Sequence, residues 1–433
     1  MQPDTWVVQG GCRLQGTLKP AGSKNAALPE LAACLLADSG CVLRNMPVIR
    51  DARAMAGILE GMGCRVQACA DSVSIESDNA SPDRLDQNLC RSIRASILLA
   101  APIAARFGTV SLPPPGGDVI GKRRLDTHFL ALEKLGAKVD YQRSRILISA
   151  PGGFRGARIN LDEPSVTATE NALMAACIAT GDTEIYNAAC EPNVQDLAAM
   201  LQKMGARIQG AGTNLIRIEG TGGLLRGADH TVCPDHIEIG SFIGLAACCR
   251  GRVEIPGVPE FILQPIMTGL GKLGVEIIFD GGNVTVPEDQ PLEVRPDIGG
   301  DIPTIYDGPW PGFSPDLTST AVVTATQSRG TSLIFEKMFE SRLFFTDKLA
   351  AMGARLILCD PHRVVISGPC KLHGTDVSSP DIRAGMALLT AALCAEGSTV
   401  IHNVRQIERG YENIVGRLTA LGAHISVSEG ERL

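Results

Sequence analysis

Aromatic residues make up only 4% of the 433-residue chain, with 2 tryptophans and 4 tyrosines. So few rings cannot supply the stacking platforms on which single-stranded nucleic acids lie. An excess of positive charge is missing as well: 40 Lys and Arg stand against 47 Asp and Glu, a net charge of -7. That balance argues against a phosphate backbone as partner, while leaving room for a local basic site. No stretch approaches the roughly 18 apolar residues of a membrane-spanning helix. The opening MQPDTWVVQG lacks the basic and apolar regions of a secretory signal. These absences predict a cytoplasmic protein without nucleic acid, membrane or obligate protein partner.

Metal-ligand spacing is absent too. The 14 cysteines include no CxxC pair, and the 7 histidines no HExxH. The pattern therefore predicts neither a zinc site nor a disulfide framework. The cysteines replace small apolar residues in segments such as LAACLLA and LAACCRG, which reads as reduced, buried thiols. What remains is an ordinary globular composition, 45% hydrophobic and 20% charged. The chain is long enough for two or three domains with sizeable cores.

Internal repetition dominates the pattern. A phrase of the form hydrophobic-Gly-small-x-hydrophobic recurs as MGCRV (62–66), LGAKV (135–139), MGARI (204–208), LGVEI (273–277), MGARL (352–356) and LGAHI (421–425). Each closes a helix-like segment with a glycine suited to a left-handed cap, and a short strand follows. Upstream of each lies an apolar segment rich in small residues, such as ENALMAACIATGD or AGMALLTAALCAEG, leading into a strand such as TEIYN or STVIHN. Helices that are apolar nearly all round must be buried, and their Ala, Gly, Ser and Thr allow close approach. Six such units predict two α/β domains of three repeats each, helices inside and sheets outside, with a cleft between them, the alternative being a featureless solenoid.

Several charged residues stand at element boundaries. In GSKNAAL (22–28), Ser23 is a good N-cap. Lys24 then sits at the positive end of the helix dipole, a position that makes sense where an anion must be held. Arg94, Arg342, Arg383 and Arg409 each flank an apolar or helical segment, and singly each reads as a surface or ion-pair residue. Asp316 in PGFSPDLTST and Asp381 in SPDIRAG read as helix caps. The segment PPPGGDVIGKRRLDTH (113–128) is a Pro- and Gly-rich loop carrying Asp118 at its tip, followed by Lys122, Arg123 and Arg124. Neutralisation and proton transfer are both open to that aspartate.

Together, the repeats and these motifs resemble the enolpyruvyl transferases, and most closely the branch acting on UDP-N-acetylglucosamine. The likeness runs from GSKNAALPELAA (22–33) to QIERGYENIVGRLTALGA (406–423). The branch that makes 5-enolpyruvylshikimate-3-phosphate shares the fold but matches these motifs poorly. The resemblance implies two inside-out, barrel-like α/β domains of three pseudo-repeats, with the active site in the interdomain cleft. One domain combines residues 1–23 with 235–433. The other spans 24–234 and carries a mobile loop at 113–124.

The reaction implied is transfer of the enolpyruvyl group of phosphoenolpyruvate to the 3'-hydroxyl of UDP-N-acetylglucosamine, releasing phosphate, at the first committed step of peptidoglycan precursor synthesis. No metal or organic cofactor is required. Protonation of phosphoenolpyruvate C3 makes C2 cationic, the hydroxyl attacks C2, and loss of phosphate and a C3 proton restores the enol ether.

By the same resemblance Lys24 contacts the phosphate of phosphoenolpyruvate and Asn25 supports the intermediate. Arg94, Arg123, Met338, Arg342, Arg383 and Arg409 surround a substrate bearing carboxylate and phosphate, groups that the guanidinium fork matches. Asp316 acts as base on the acceptor hydroxyl or orients it, and Asp381 faces cationic side chains and the tetrahedral intermediate. Arg124, Leu125, Asp126 and His128 align with the uracil-holding segment, and Ser165 and Val166 with the diphosphate-binding stretch. The chain departs from the family at Arg124 (usually proline), Glu163 (often lysine), Thr167 (usually glycine) and His236 (often arginine). Those departures motivate two alternatives: a paralogue using another nucleotide or sugar acceptor, and a non-catalytic nucleotide-sugar-binding protein. Asp118 stands where many members carry the cysteine that fosfomycin alkylates, so insensitivity to that epoxide is expected. Its role is either general acid or loop closure and product release.

Overall fold

A computed structural model describes residues 5–117, 120–121 and 123–428. Two compact units result: one holds residues 5–20, 120–121 and 235–428 of the described chain, the other 21–117 and 123–234. Each has its own apolar core.

The repeat phrase has one structural meaning at all six places. Amphipathic helices at Arg50–Gly61, Asp126–Lys134, Pro192–Lys203, Glu260–Gly271, Thr346–Ala351 and Ile414–Ala420 all run directly into a turn that carries the repeat glycine. Gly63, Gly136, Gly205, Gly274, Gly353 and Gly422 all adopt φ between +83° and +106°. After the first helix, Gly63 N–H donates to the Glu60 carbonyl at 2.9 Å and Cys64 N–H to the Leu59 carbonyl at 3.0 Å. This is the Schellman pairing, which satisfies carbonyls orphaned at the helix end. The same two bonds recur after the other five helices. A strand follows each turn.

The apolar segments form buried helices. Val166–Ile178, His236–Cys248, Thr318–Gln327 and Ile382–Cys394 are sealed along most or all of their length. Lys24–Ala33 is buried except at Asn25, and Ala100–Phe107 continues a 3-10 turn that begins at Arg94. In the first unit, the helices starting at His236, Thr318 and Ile382 pack on one another. Small residues set their separation: a Cβ at Gly244 would strike the Thr320 side chain, so a larger residue would force the pair apart.

Each buried helix is followed by a strand that takes its place in a separate small sheet. In three repeats the strand before the helix pairs parallel with the strand after it. Examples are Arg158–Asn160 with Thr180–Tyr186, and Thr304–Tyr306 with Gly330–Phe335. In two others the chain passes from one unit to the other between strand and helix, so the parallel partner is remote in sequence. Gln15–Thr17 pairs with Arg252–Ile255, and Asp229–Thr231 with Cys41–Arg44. The N-terminal strand Thr5–Gln9 lies antiparallel between Ser398–His402 and His424–Ser428, completing the last repeat. Among the described residues there are five four-stranded sheets and one three-stranded sheet, and no helix is long and apolar enough to cross a membrane.

Candidate active site

In the first unit, three of the charged residues singled out from the sequence meet directly. Ser314 caps the short turn Pro315–Leu317, its hydroxyl accepting from the Asp316 N–H at 3.3 Å, and this turn presents the Asp316 side chain. Arg342 donates to one Asp316 oxygen at 2.8 Å, and Arg383 donates through Nε to the other at 3.0 Å. Both guanidiniums are nearly sealed from water, with side chains 2% and 7% exposed, whereas the Asp316 side chain is 26% exposed. Two buried cations thus converge on one partly open carboxylate, an arrangement that pre-pays the ordering of all three groups.

Each arginine has its own support. The Arg342 guanidinium lies over the Phe339 ring at 5.1 Å, and its Nε is 3.9 Å from the fully buried Glu336. Burial, reinforced by the charge of Asp307, pushes the Glu336 carboxyl well above its usual range. Arg383 lies over the Tyr411 ring at 5.4 Å, and the Tyr411 hydroxyl in turn meets Ser241 at 2.8 Å. Burial works against the charge of Arg383, but Asp316, Tyr411 and Asp235 outweigh it and hold the guanidinium firmly protonated. Asp381 caps the helix Ile382–Cys394, accepting from the backbone N–H groups of Arg383 at 2.8 Å and Ala384 at 3.0 Å. It thereby sets the first turn from which Arg383 projects. Arg409, at the end of the turn Val404–Arg409, donates to the Gln406 side chain at 2.9 Å. Met338 is 39% exposed, one residue before the ring under Arg342. His236 is buried against Trp310, the ring centroids 5.8 Å apart. Burial holds its imidazole below the usual range, so at neutral pH it does not replace the charge of an arginine.

The second unit carries the remaining residues singled out from the sequence. Ser23 occupies the N-cap position of Lys24–Ala33 but makes no side-chain capping bond. The Lys24 ammonium meets Asp51 at 2.8 Å in this structure, both side chains buried. Asn25, the next residue, is half-buried. Arg94 opens the turn Arg94–Leu99 and donates to the backbone carbonyls of Arg123 at 2.7 Å and Arg124 at 3.3 Å. Burial, with the charge of Arg123 beside it, lowers Arg94 to about 10. It is thus a loop-holding cation in this structure. The Arg124 side chain is exposed and bridges Asp126 and Asp162, each at 3.1 Å.

Leu125 and Asp126 begin the helix Asp126–Lys134, and His128 turns inward from it. Asn171 accepts the Ala101 N–H through its oxygen at 3.1 Å, so its amide nitrogen donates to His128 Nδ1 at 2.8 Å. The imidazole proton then rests on Nε2, which faces the Thr167 hydroxyl at 3.0 Å. Thr167, a departure from the family pattern, is therefore a partner of His128. Ser165 caps the helix Val166–Ile178, accepting from Ala168 N–H at 3.4 Å, and Val166 is its first residue. Glu163 receives a long 3.4 Å bond from the Thr127 hydroxyl, which bonds Asp162 at 2.6 Å. Asp118 and Lys122 lie outside the described residues.

Sequence reading alone missed Asp51, Glu336 and Tyr411. Asp51 lies in the helix Arg50–Gly61, Glu336 directly follows the strand Gly330–Phe335, and Tyr411 lies between the turn Val404–Arg409 and the helix Ile414–Ala420. No local pattern marks them, and only proximity to Lys24, Arg342 and Arg383 gives them meaning.

The profile of the family described as EPSP synthase (3-phosphoshikimate 1-carboxyvinyltransferase) matches residues 8–418. A protein of Treponema denticola named UDP-N-acetylglucosamine 1-carboxyvinyltransferase is 51% identical over 425 residues, covering 98% of this chain and 99% of its own. Relatives of the same name from Bradyrhizobium diazoefficiens and Bacteroides fragilis are 52% and 46% identical, each covering 98% of this chain and 98% and 99% of their own. Among solved structures, the enolpyruvyl transferase NikO from Streptomyces tendae superposes with a TM-score of 0.87 at 24% identity over the whole of both chains. An EPSP synthase from Acinetobacter baumannii superposes at 0.73 and 17% identity, covering 98% of this chain and all of its own. At these identities the two structures bear on the fold alone.

Proposed function

The chain belongs to the EPSP synthase family of carboxyvinyltransferases, and from that membership we propose its reaction. It transfers the enolpyruvyl group of phosphoenolpyruvate to the 3'-hydroxyl of UDP-N-acetylglucosamine and releases phosphate, opening peptidoglycan precursor synthesis. The observation that carries this reading is identity near 50% sustained over 98% of the chain with relatives named for that activity. A different acceptor, suggested by Arg124, Glu163, Thr167 and His236, is not favoured at such identity. None of the 14 cysteines is joined in a disulfide among the described residues, which supports a reducing, cytoplasmic setting.

The chemistry assigns work to the residues described above. A hydroxyl is a poor nucleophile, and Asp316 takes or orients its proton as the oxygen attacks C2 of phosphoenolpyruvate. Arg342 and Arg383 fix the carboxylate in one orientation, so the reacting oxygen meets a preset partner. A proton delivered to C3 leaves C2 electrophilic. The tetrahedral adduct then loses phosphate together with a C3 proton, and the enol ether remains. Lys24, Arg94, Arg123 and Arg409 supply the positive charge that a phosphate and a carboxylate demand throughout. Asn25, Leu125, Asp126, His128, Ser165, Val166 and Met338 complete the substrate contacts of this reading, and Asp381 positions Arg383 through the helix it caps.

Purified protein mixed with phosphoenolpyruvate and UDP-N-acetylglucosamine should release one phosphate per enol ether formed. Lys24→Ala and Arg409→Ala should abolish turnover while circular dichroism stays native. Phosphate release only with a different acceptor would replace the substrate assignment. Tight nucleotide-sugar binding with no turnover on any acceptor would remove the enzymatic reading.

A further inference from the structure

Away from the residues of the transfer reaction, the second unit buries an unusual group. Glu30 comes from the helix Lys24–Ala33, Asp196 from Pro192–Lys203 and His230 from the strand Asp229–Thr231. One donor atom from each lies within 4.8 Å of the others. His230 Nε2 is 3.1 Å from an Asp196 oxygen and 3.5 Å from a Glu30 oxygen. Glu30 is the telling member: it is 0% exposed, and neither carboxylate oxygen makes a well-formed hydrogen bond, His230 standing 3.5 Å from one of them. An ionised carboxylate in a core is costly unless something charged meets it.

We propose that Glu30, Asp196 and His230 form a site for one divalent d-block cation, of the zinc class, that staples three elements of the second unit together. Geometry supports the class. Donors bound tetrahedrally at about 2.0 Å stand about 3.3 Å apart, and the two separations from His230 bracket that value. Charge is compatible with it, because binding displaces the protons of the group and leaves two carboxylates and a neutral imidazole, which a single dication balances. One imidazole with two carboxylates suits zinc and its neighbours, whereas magnesium prefers six oxygens and keeps its waters.

The site also has a place in the architecture. The second Asp196 oxygen accepts the Cys233 N–H at 2.7 Å, and the Cys233 carbonyl accepts the Ser23 N–H at 2.7 Å. The ligand set therefore grips both the helix that Lys24 begins and the backbone that enters it. No short motif betrays this set, because its members are spread between positions 30 and 230.

The test is a Zn²⁺ titration of chelator-stripped, dialysed full-length protein, with wild type compared against Glu30→Gln and Asp196→Asn. Wild type should take up one equivalent more than either variant. Its melting temperature should rise by roughly 5 °C at a hundredfold excess of free metal over Kd, with no rise in the variants. Equal uptake by wild type and Glu30→Gln would overturn the proposal, since the metal would then sit elsewhere, for instance on exposed thiols. A wild-type melting temperature indifferent to saturating Zn²⁺ would overturn it equally, whether or not the variants fold. Mg²⁺ at the same excess should leave the melting temperature unchanged, and a shift equal to that of Zn²⁺ would contradict the assigned class.

Discussion

Asp316 is held by Arg342 and Arg383, which have almost no contact with water. Removing the carboxylate leaves two buried cations without their shared counter-charge. Asp316→Ala should therefore cost about 3 kcal/mol of stability, read from urea unfolding, besides activity. Asp316→Asn keeps the shape and should lower kcat at least about 100-fold; a smaller loss in the phosphate-release assay would remove Asp316 from proton transfer. His128 offers a pH test. Burial, with the charge of Arg94 added, depresses its pKa from 6.5 to about 3. Between those values the unfolded chain binds a proton that the folded one refuses, so stability is full above pH 6.5 and falls as pH drops toward 3. Its share of that fall has a slope of up to about 1.4 kcal/mol per pH unit. His128→Asn should flatten the decline between pH 6.5 and 5, and an unchanged slope would contradict a neutral, buried imidazole. At position 118 the expectation rests on residue type. Fosfomycin should leave no covalent adduct on the native chain, whereas Asp118→Cys should gain one by mass spectrometry.

The recurring element is a helix closed by a glycine in the left-handed region. Its energetic content differs between copies, because neighbours differ. A Cβ on Gly136 would meet nothing within 4 Å, while one on Gly274 would strike the backbone of Glu293. Gly136→Ala pays only the strained φ of +100°, about 1–2 kcal/mol. Gly274→Ala must in addition displace a backbone segment, and it should destabilise by clearly more. Equal unfolding midpoints for the two variants would mean that backbone conformation alone governs both turns. The repeat pattern was legible because each copy needs the same unusual φ. Which copies tolerate a side chain was not, since that depends on packing from other parts of the chain.

At the scale of the molecule, two separate cores carry the stability. Leu388 is fully buried in the core of the unit holding Asp316, and Leu173 in the other. Leu388→Ala should cost about 2–5 kcal/mol, and hydrogen exchange should quicken first in its own unit, including strands Thr5–Gln9 and Ser398–His402. Quickening that begins around Leu173 would show that the cores are not energetically distinct. The chain path explains why both ends of the sequence matter to one unit. Thr5–Gln9 completes the sheet of the last repeat, and Gln15–Thr17 pairs with a strand more than 200 residues later.

Sequence by itself determined the six-fold repeat, the buried character of the small-residue helices, the glycine caps and the family. Each is a local or periodic property, written in hydrophobic spacing and in backbone conformations few residues accept. It also placed Asp316, Arg342 and Arg383 among the charged residues of interest. Only the tertiary structure decided that these three share one ion cluster, that Lys24 is paired with Asp51, and that Asp381 acts on Arg383 through a helix cap. It alone brought Glu30, Asp196 and His230 to a common point. Ion pairs and ligand sets depend on distances between elements far apart in the chain, and a single sequence carries no measure of those distances.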